Sequence, residues 1–278
     1  MGACPACVGS APIDLAAAMT TQRSTAPVAL PVNDAPYTKI LYVDPETGRR
    51  VRSRIVAEIG HVCFETSAPI RYFPAYRGRR SHQGLYWFSR SASYVHFESR
   101  FEMTALMVLD FRGEAIAVSS NPFWLLWPRG TKPVRHAPDF FVRRRDGSVL
   151  IVDVKPAERI TDKDREQHDL TRQCCIEIGW EYEEFTSITT AVERNLRVLS
   201  GYHHPRFAPP ENARALIVAR VRAAGSEGLQ LAELVDIVRD CTGLSDELVV
   251  CAVYHMLWNA QLHADLNRLL AWDAVVRS

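Results

Sequence analysis

One stretch of about twenty residues constrains this chain more than any other: Ala137-Pro138-Asp139-Phe140-Phe141-Val142, then Arg143 to Ser148, then Val149-Leu150-Ile151-Val152-Asp153-Val154-Lys155. Two runs of aromatic and aliphatic residues flank Asp146-Gly147, a dipeptide suited to the positive φ of a tight hairpin turn. Alternation along a strand puts Asp153 and Lys155 on one face and Val152 and Val154 on the other. Asp139 opens the partner strand and can lie across from them.

Carboxylates gathered in this way are hard oxygen donors suited to Mg²⁺ or Mn²⁺. Phosphodiester hydrolysis needs charge neutralisation at the phosphate and an activated water, and such a cation supplies both. A lysine one pleat beyond a metal ligand can hold a phosphate oxygen or orient the attacking water. Upstream, Phe97, Phe101, Ala105, Val108 and Leu109 trace a helical stripe, with Glu98 and Glu102 four residues apart on a shared face. Either glutamate can bring a third acid to the hairpin.

Around this centre the pattern predicts a mixed α/β core. Residues 37 to 73 read as short strands broken by Asp44-Pro45-Glu46-Thr47-Gly48, a β-rich opening to the core. Ala115 to Val118 and Asn121 to Trp127 read as buried strands. Thr161 and Asp164 form a capping signature, and Gly179 a stop, for a helix from about 162 to 178. Alternation over Trp180 to Phe185 predicts a strand, and a helix follows over about 189 to 199. Residues 203 to 210, with three prolines, read as a linker. Beyond it, stripes at about 211–224, 229–241 and 246–259, then a hairpin-like tail over 262–272, give the winged-helix pattern for residues 211–278, an essentially all-α domain. Trp258 and Trp272 are expected in its core.

Several residues in this sequence carry a family resemblance. Phe97-Glu98-Ser99-Arg100-Phe101-Glu102 enters a helix ending Leu109-Asp110-Phe111; Asn121-Pro122-Phe123, Pro138-Asp139-Phe140 and Val152-Asp153-Val154-Lys155-Pro156 follow. From about residue 84 to 202 the chain resembles the TnsA-type endonuclease subunit of heteromeric transposases, a branch of the PD-(D/E)xK nuclease superfamily. That resemblance implies a restriction-endonuclease-like core over residues 36–202. It implies Asp139 and Asp153 as metal ligands, Lys155 as catalytic lysine, and Glu102 as the helix-borne acid with Glu98 in reserve. It also implies a Mg²⁺- or Mn²⁺-dependent endonuclease that cuts the 5′ strands at transposon ends. The expected partners are double-stranded DNA, a DDE-type transposase subunit and an ATPase regulator. An autonomous restriction or defence nuclease would share this cutting chemistry. A degenerate core serving as a DNA-binding scaffold is the non-enzymatic alternative.

Bulk properties add less. A net charge of +1 does not itself mark a nucleic-acid partner, but six arginines between Arg71 and Arg100 face a single acid, Glu98. Residues 1–35, rich in Ala, Pro, Ser and Thr, read as a flexible leader. Its Cys4 and Cys7 lack a second pair to complete a zinc site. Seven cysteines, two of them adjacent, and no signal peptide suit a reducing cytoplasm. No apolar run reaches the ~18 residues of a membrane span. His136 reads as an ordinary loop histidine, and Arg143, Arg144 and Arg145 as a charged hairpin tip able to meet DNA.

Overall fold

The computed structural model describes residues 38–71, 82–127 and 134–278. The leader with Cys4 and Cys7, and Arg77, Arg79 and Arg80 of the basic run, lie outside the described residues. Contacts divide the chain at Ile188 into two units, both mixing helix and sheet. No helix among the described residues is long and apolar enough to cross a membrane.

In the first unit, β1 (Lys39–Val43) and β2 (Arg50–Arg54) form a hairpin. A second hairpin, β3 (Gly84–Phe88) and β4 (Ser93–Phe97), leads into α1 (Arg100–Arg112). The helix starts at Ser99, whose hydroxyl accepts from the Glu102 amide, and stops at Gly113, φ 75°. Buried Asp110 fastens the β3–β4 turn to it, accepting from Tyr86 Oη, Ser89 N and Ser89 Oγ. β5 (Ala115–Ser120), β6 (Phe123–Trp127) and β7 (Val134–His136) follow.

The hairpin expected from Asp146-Gly147 is present as β8 (Phe140–Arg144) and β9 (Val149–Val154). Gly147 adopts φ 85°, and the Asp146 carboxylate accepts from the Ser148 amide. After β9 the chain crosses through α2 (Asp162–Glu177), whose N-terminus carries the full Thr161–Asp164 capping box. It returns as β10 (Glu181–Phe185), parallel to β9. Two four-stranded sheets result, ordered β2-β1-β6-β7 and β10-β9-β8-β5.

Alternation assigns the faces of the second sheet. Glu183 pairs with Arg112 of α1, whereas its neighbour Glu184 meets His168 and Arg172 of α2, so the two helices cover opposite faces. On the α2 side Phe141 and Ile151 join Ile40, Phe123 and Leu125 of the first sheet around fully buried Phe64. At roughly 1.5–3 kcal/mol for each large apolar side chain removed from water, this interior is the main force holding the sheets together.

The second unit begins earlier than the predicted linker. α3 (Thr190–Leu199) buries Val192, Leu196 and Leu199 completely, an i, i+4, i+7 stripe within that unit. Residues 203–210 are not an open linker either. A 3-10 turn at Pro205–Phe207 follows one at Ser200–Tyr202, and Tyr202 packs on Tyr254 and Phe207. Then come α4 (Glu211–Ala223), β11 (Leu229–Gln230), α5 (Leu231–Thr242), α6 (Asp246–Trp258), β12 (His263–Ala264) and β13 (Val275–Arg277).

The unit is not all-α, because its short strands form an antiparallel sheet ordered β11-β13-β12. The return strand lies at 275–277 rather than before 272. Asn195 of α3 donates to the carbonyls of Leu266 and Arg268 and accepts from Leu270 N, so this stretch bonds to a side chain instead of a ladder. Trp258 is fully buried as expected, but Trp272 stands 56% exposed in the connection.

Candidate functional site

Register alone brings the predicted acids together. Phe140 pairs with Val152, so one step towards the strand ends places Asp139 beside Asp153. Asp139 Oδ2 accepts from the Val154 amide at 2.7 Å, and its carbonyl accepts from Asn121 N at 2.9 Å. In the parallel register Asp153 pairs with Glu184. Asn121, Asp139, Asp153 and Glu184 thus form a row across four neighbouring chain segments.

Asp153 is 2% exposed. An isolated charge so deep would cost several kcal/mol, and three neighbours offset that cost. His136 Nε2 lies 2.9 Å from both carboxylate oxygens, and Tyr182 Oη donates at 2.7 Å. Burial pushes the Asp153 carboxyl up, but His136, His168 and the tyrosine outweigh it and hold the group below the usual carboxylate range. His136 is therefore the direct partner of a predicted metal ligand, not an ordinary loop histidine. Behind it His168 Nδ1 lies 2.9 Å from Glu184, which Arg172 also grips. Burial lowers the His168 imidazole, yet Glu184 and Asp153 raise it above its ordinary value.

Asp139 behaves in the opposite way. Burial raises its carboxyl well above the usual range, and the charges of Glu102 and Asp153 raise it further, against the Val154 amide and Arg71. Glu102 of α1 and Asp153 of β9 thus both act on Asp139, the residue just before β8. Burial also raises the Glu102 carboxyl, whose oxygens accept from Glu98 N at 2.7 Å and Ser99 Oγ at 3.0 Å. Glu98 faces the same site: its Oε1 accepts from Asn121 Nδ2 at 3.0 Å, and its Oε2 lies 3.9 Å from Arg71.

Lys155 is placed differently. Its ammonium meets Asp164 of the α2 capping box at 2.6 Å, which ties the lysine to the start of that helix. Despite some burial, that partner and the Thr161 hydroxyl and amide, both of which donate to it, hold the Asp164 carboxyl far below the usual range. The tip arginines are structural at two of three positions. Arg143 lies over Phe141 and donates to the carbonyls of Gly60 and Val62, while Arg144 pairs with Glu181 at 2.6 Å.

Among the described residues no group of three or more His, Cys, Asp or Glu forms a ready metal cage. The geometry gives the reason: the oxygens of Asp153 are turned to His136 and Tyr182, and those of Glu102 to its own helix cap. The donor chemistry nonetheless fits a hard divalent cation. Asp139 carries a carboxyl strained by two neighbouring acids, and its Oδ1 lies 4.0 Å from Arg71, outside hydrogen-bond distance. Ligating carboxylates ordinarily keep supporting hydrogen bonds of the kind His136 and Tyr182 provide.

Sequence reasoning missed Tyr182, His168 and Arg71 as site neighbours. The alternation that put Asp153 inward also puts Tyr182 and Glu184 inward along β10, so pairing the strands would have found them. Arg71 carries no such signal, because it reaches the site from a loop. A scan against protein-family models finds no match to this chain, and a search of curated proteins finds none either.

Proposed function

We propose that this chain is a divalent-metal-dependent DNA endonuclease with a PD-(D/E)xK-type core, serving as the TnsA-like subunit that cuts the 5′ strands at transposon ends. One observation carries the reading: Asp139 and Asp153 lie side by side at the strand ends with Glu102 acting on Asp139, in the order acid-bearing helix, Asp-opened strand, Asp-x-Lys strand. A four-stranded sheet with a helix on each face and one parallel crossover supports the core assignment. The order α4-β11-α5-α6-β12-β13, with β13 between β11 and β12, supports a winged helix at the C-terminus.

Asp139, Asp153 and Glu102, with Glu98 as the exchange candidate, would hold Mg²⁺ or Mn²⁺, which when bound neutralises phosphate charge and acidifies water. The protein's own groups do the rest. His136 and Tyr182 keep Asp153 ionised and aimed. Asp164 holds the Lys155 ammonium by an ion pair at the strand end beside the acids, where it would serve a phosphate oxygen or the attacking water. Double-stranded DNA is the substrate in this reading, and a DDE-type transposase with its ATPase regulator supplies the partner.

Nicking of supercoiled plasmid in Mg²⁺ or Mn²⁺ tests this, with Asp153→Asn alongside because asparagine keeps the volume and an acceptor for Tyr182. Wild-type nicking lost in the variant is the expected result, whether it needs an added DDE-type transposase subunit or not. No nicking under either condition overturns the nuclease reading.

A further inference from the structure

The inner face of the first sheet is taken up by the core, where Ile40, Tyr42, Phe123 and Leu125 gather around Phe64. Alternation turns the residues between them outward. On that outer face the register sets Lys39 opposite Arg54, Leu41 opposite Arg52 and Val43 opposite Arg50. Leu41 also pairs with Trp124, and Leu126 with Arg135, so the same face continues across β6 to β7. Lys39, Arg50, Arg52, Arg54 and Arg135 are all exposed, and none of the five is paired with an acid among the described residues. None of the four strands contains an aspartate or a glutamate. Arg135 lies over the Trp124 ring, 4.9 Å from its centroid, which fixes one cation in the middle of the apolar strip.

Charge on an edge strand such as β2 ordinarily guards against pairing with another chain. Either sign serves that purpose, and the purpose ends at the edge. Here Lys39 lies on an interior strand, Arg135 on the opposite edge, and all five charges are positive on a chain whose net charge is only +1. Arg50, Arg52 and Arg54 recur every ~6.8 Å along β2, and β7 lies roughly 14 Å away across three strand spacings. A fixed array of like charges on that scale fits a polyanion, and duplex DNA carries one phosphate charge per ~1.7 Å of its axis. The face also adjoins the acid cluster, because Arg135 precedes His136, which turns the other way to hold Asp153. We infer that the outer face of β2-β1-β6-β7 is a docking surface for the phosphate backbone of duplex DNA, gripped by Lys39, Arg50, Arg52, Arg54 and Arg135. The choice of DNA rests on the nuclease reading, but the surface is separate from the acids and its grip can be read without cleavage.

The test measures binding of the full chain to a short DNA duplex in EDTA across a salt series, beside plasmid nicking in Mg²⁺. Three proteins are compared: the wild type, the triple variant Arg50→Gln, Arg52→Gln, Arg54→Gln, and the same three positions changed to lysine. Each phosphate contact contributes about 0.9 to the slope of log K against log salt. The glutamine triple is expected to bind more weakly and to lose about 2 to 3 from that slope. The lysine triple should keep the slope, because a backbone phosphate is met by a point charge as well as by a fork. All three side chains are exposed, so the melting temperatures of both variants should match the wild type. A glutamine triple with the wild-type slope overturns the inference. A lysine triple that loses the slope equally overturns it as well, since charge would then not be what binds. Wild-type protein that leaves the duplex unbound also overturns it and points the face at an acidic protein surface instead. The nuclease reading fails separately: a wild type that binds through these arginines but never nicks, with or without an added DDE-type transposase subunit, loses the catalytic assignment and keeps the surface.

Discussion

Asp139 and Asp153 are adjacent carboxyls with opposite titration behaviour, and the difference lies in their neighbours. Asp153 faces two histidines and a phenol, whereas Asp139 faces two other acids. An acid whose folded value is raised binds its proton more tightly folded than unfolded. Its ionisation therefore weakens the fold as pH rises from the ordinary carboxyl range through the raised value. Asp139→Asn, which keeps an acceptor for the Val154 amide, should raise the melting temperature in EDTA by a few degrees at neutral pH and flatten that pH dependence while abolishing nicking. Calorimetry in chelator checks it, and a lowered melting temperature would mean Asp139 is cohesive rather than strained. That Asp139 and Asp153 would lie side by side was legible because Asp-Gly fixes the hairpin and alternation fixes the face. The supporting shell was not, since Arg71, His136 and Tyr182 reach Asp139 and Asp153 from three other segments, and no local period reports that.

At the scale of elements, what was legible had a local cause. α2 begins at Thr161 and ends before Gly179 because a capping box and a residue with φ 76° set those limits. Replacing Thr161 with alanine removes the side-chain half of the box and should cost about 1 kcal/mol. Because Asp164 then loses the hydroxyl and keeps only Lys155 and the backbone, the lysine's orientation should loosen too, giving a larger fall in nicking rate than in metal affinity. Urea unfolding and metal calorimetry separate the two effects. The misplaced elements had non-local causes. β13 falls after Trp272 because Asn195 engages the chain between 266 and 270, which no pattern within the tail reveals.

On the scale of the whole molecule, the boundary lies where apolar surface is shared, not where prolines collect. α3 belongs to the C-terminal unit although the sequence break follows it. A chain ending at 187 should therefore be soluble and cooperatively folded. A chain ending at 202 keeps a helix whose Val192, Leu196 and Leu199 have lost their cover, and should aggregate or melt lower. Light scattering and thermal melts of the two truncations decide between the boundaries.

The same dispersal of parts along the chain governs when the site can exist. Asp153 leans on His136 before it, His168 of α2 and Tyr182 of the last strand of its sheet. Ribosomes add about 5–20 residues each second. For a span of seconds, a nascent chain already carries Glu102, Asp139, Asp153 and Lys155 but not the strand that completes their surroundings. Prematurely terminated products that stop short of Trp180 hold all four residues without the assembled centre. If the chain is the nuclease proposed above, its cutting centre is thereby withheld from unfinished copies.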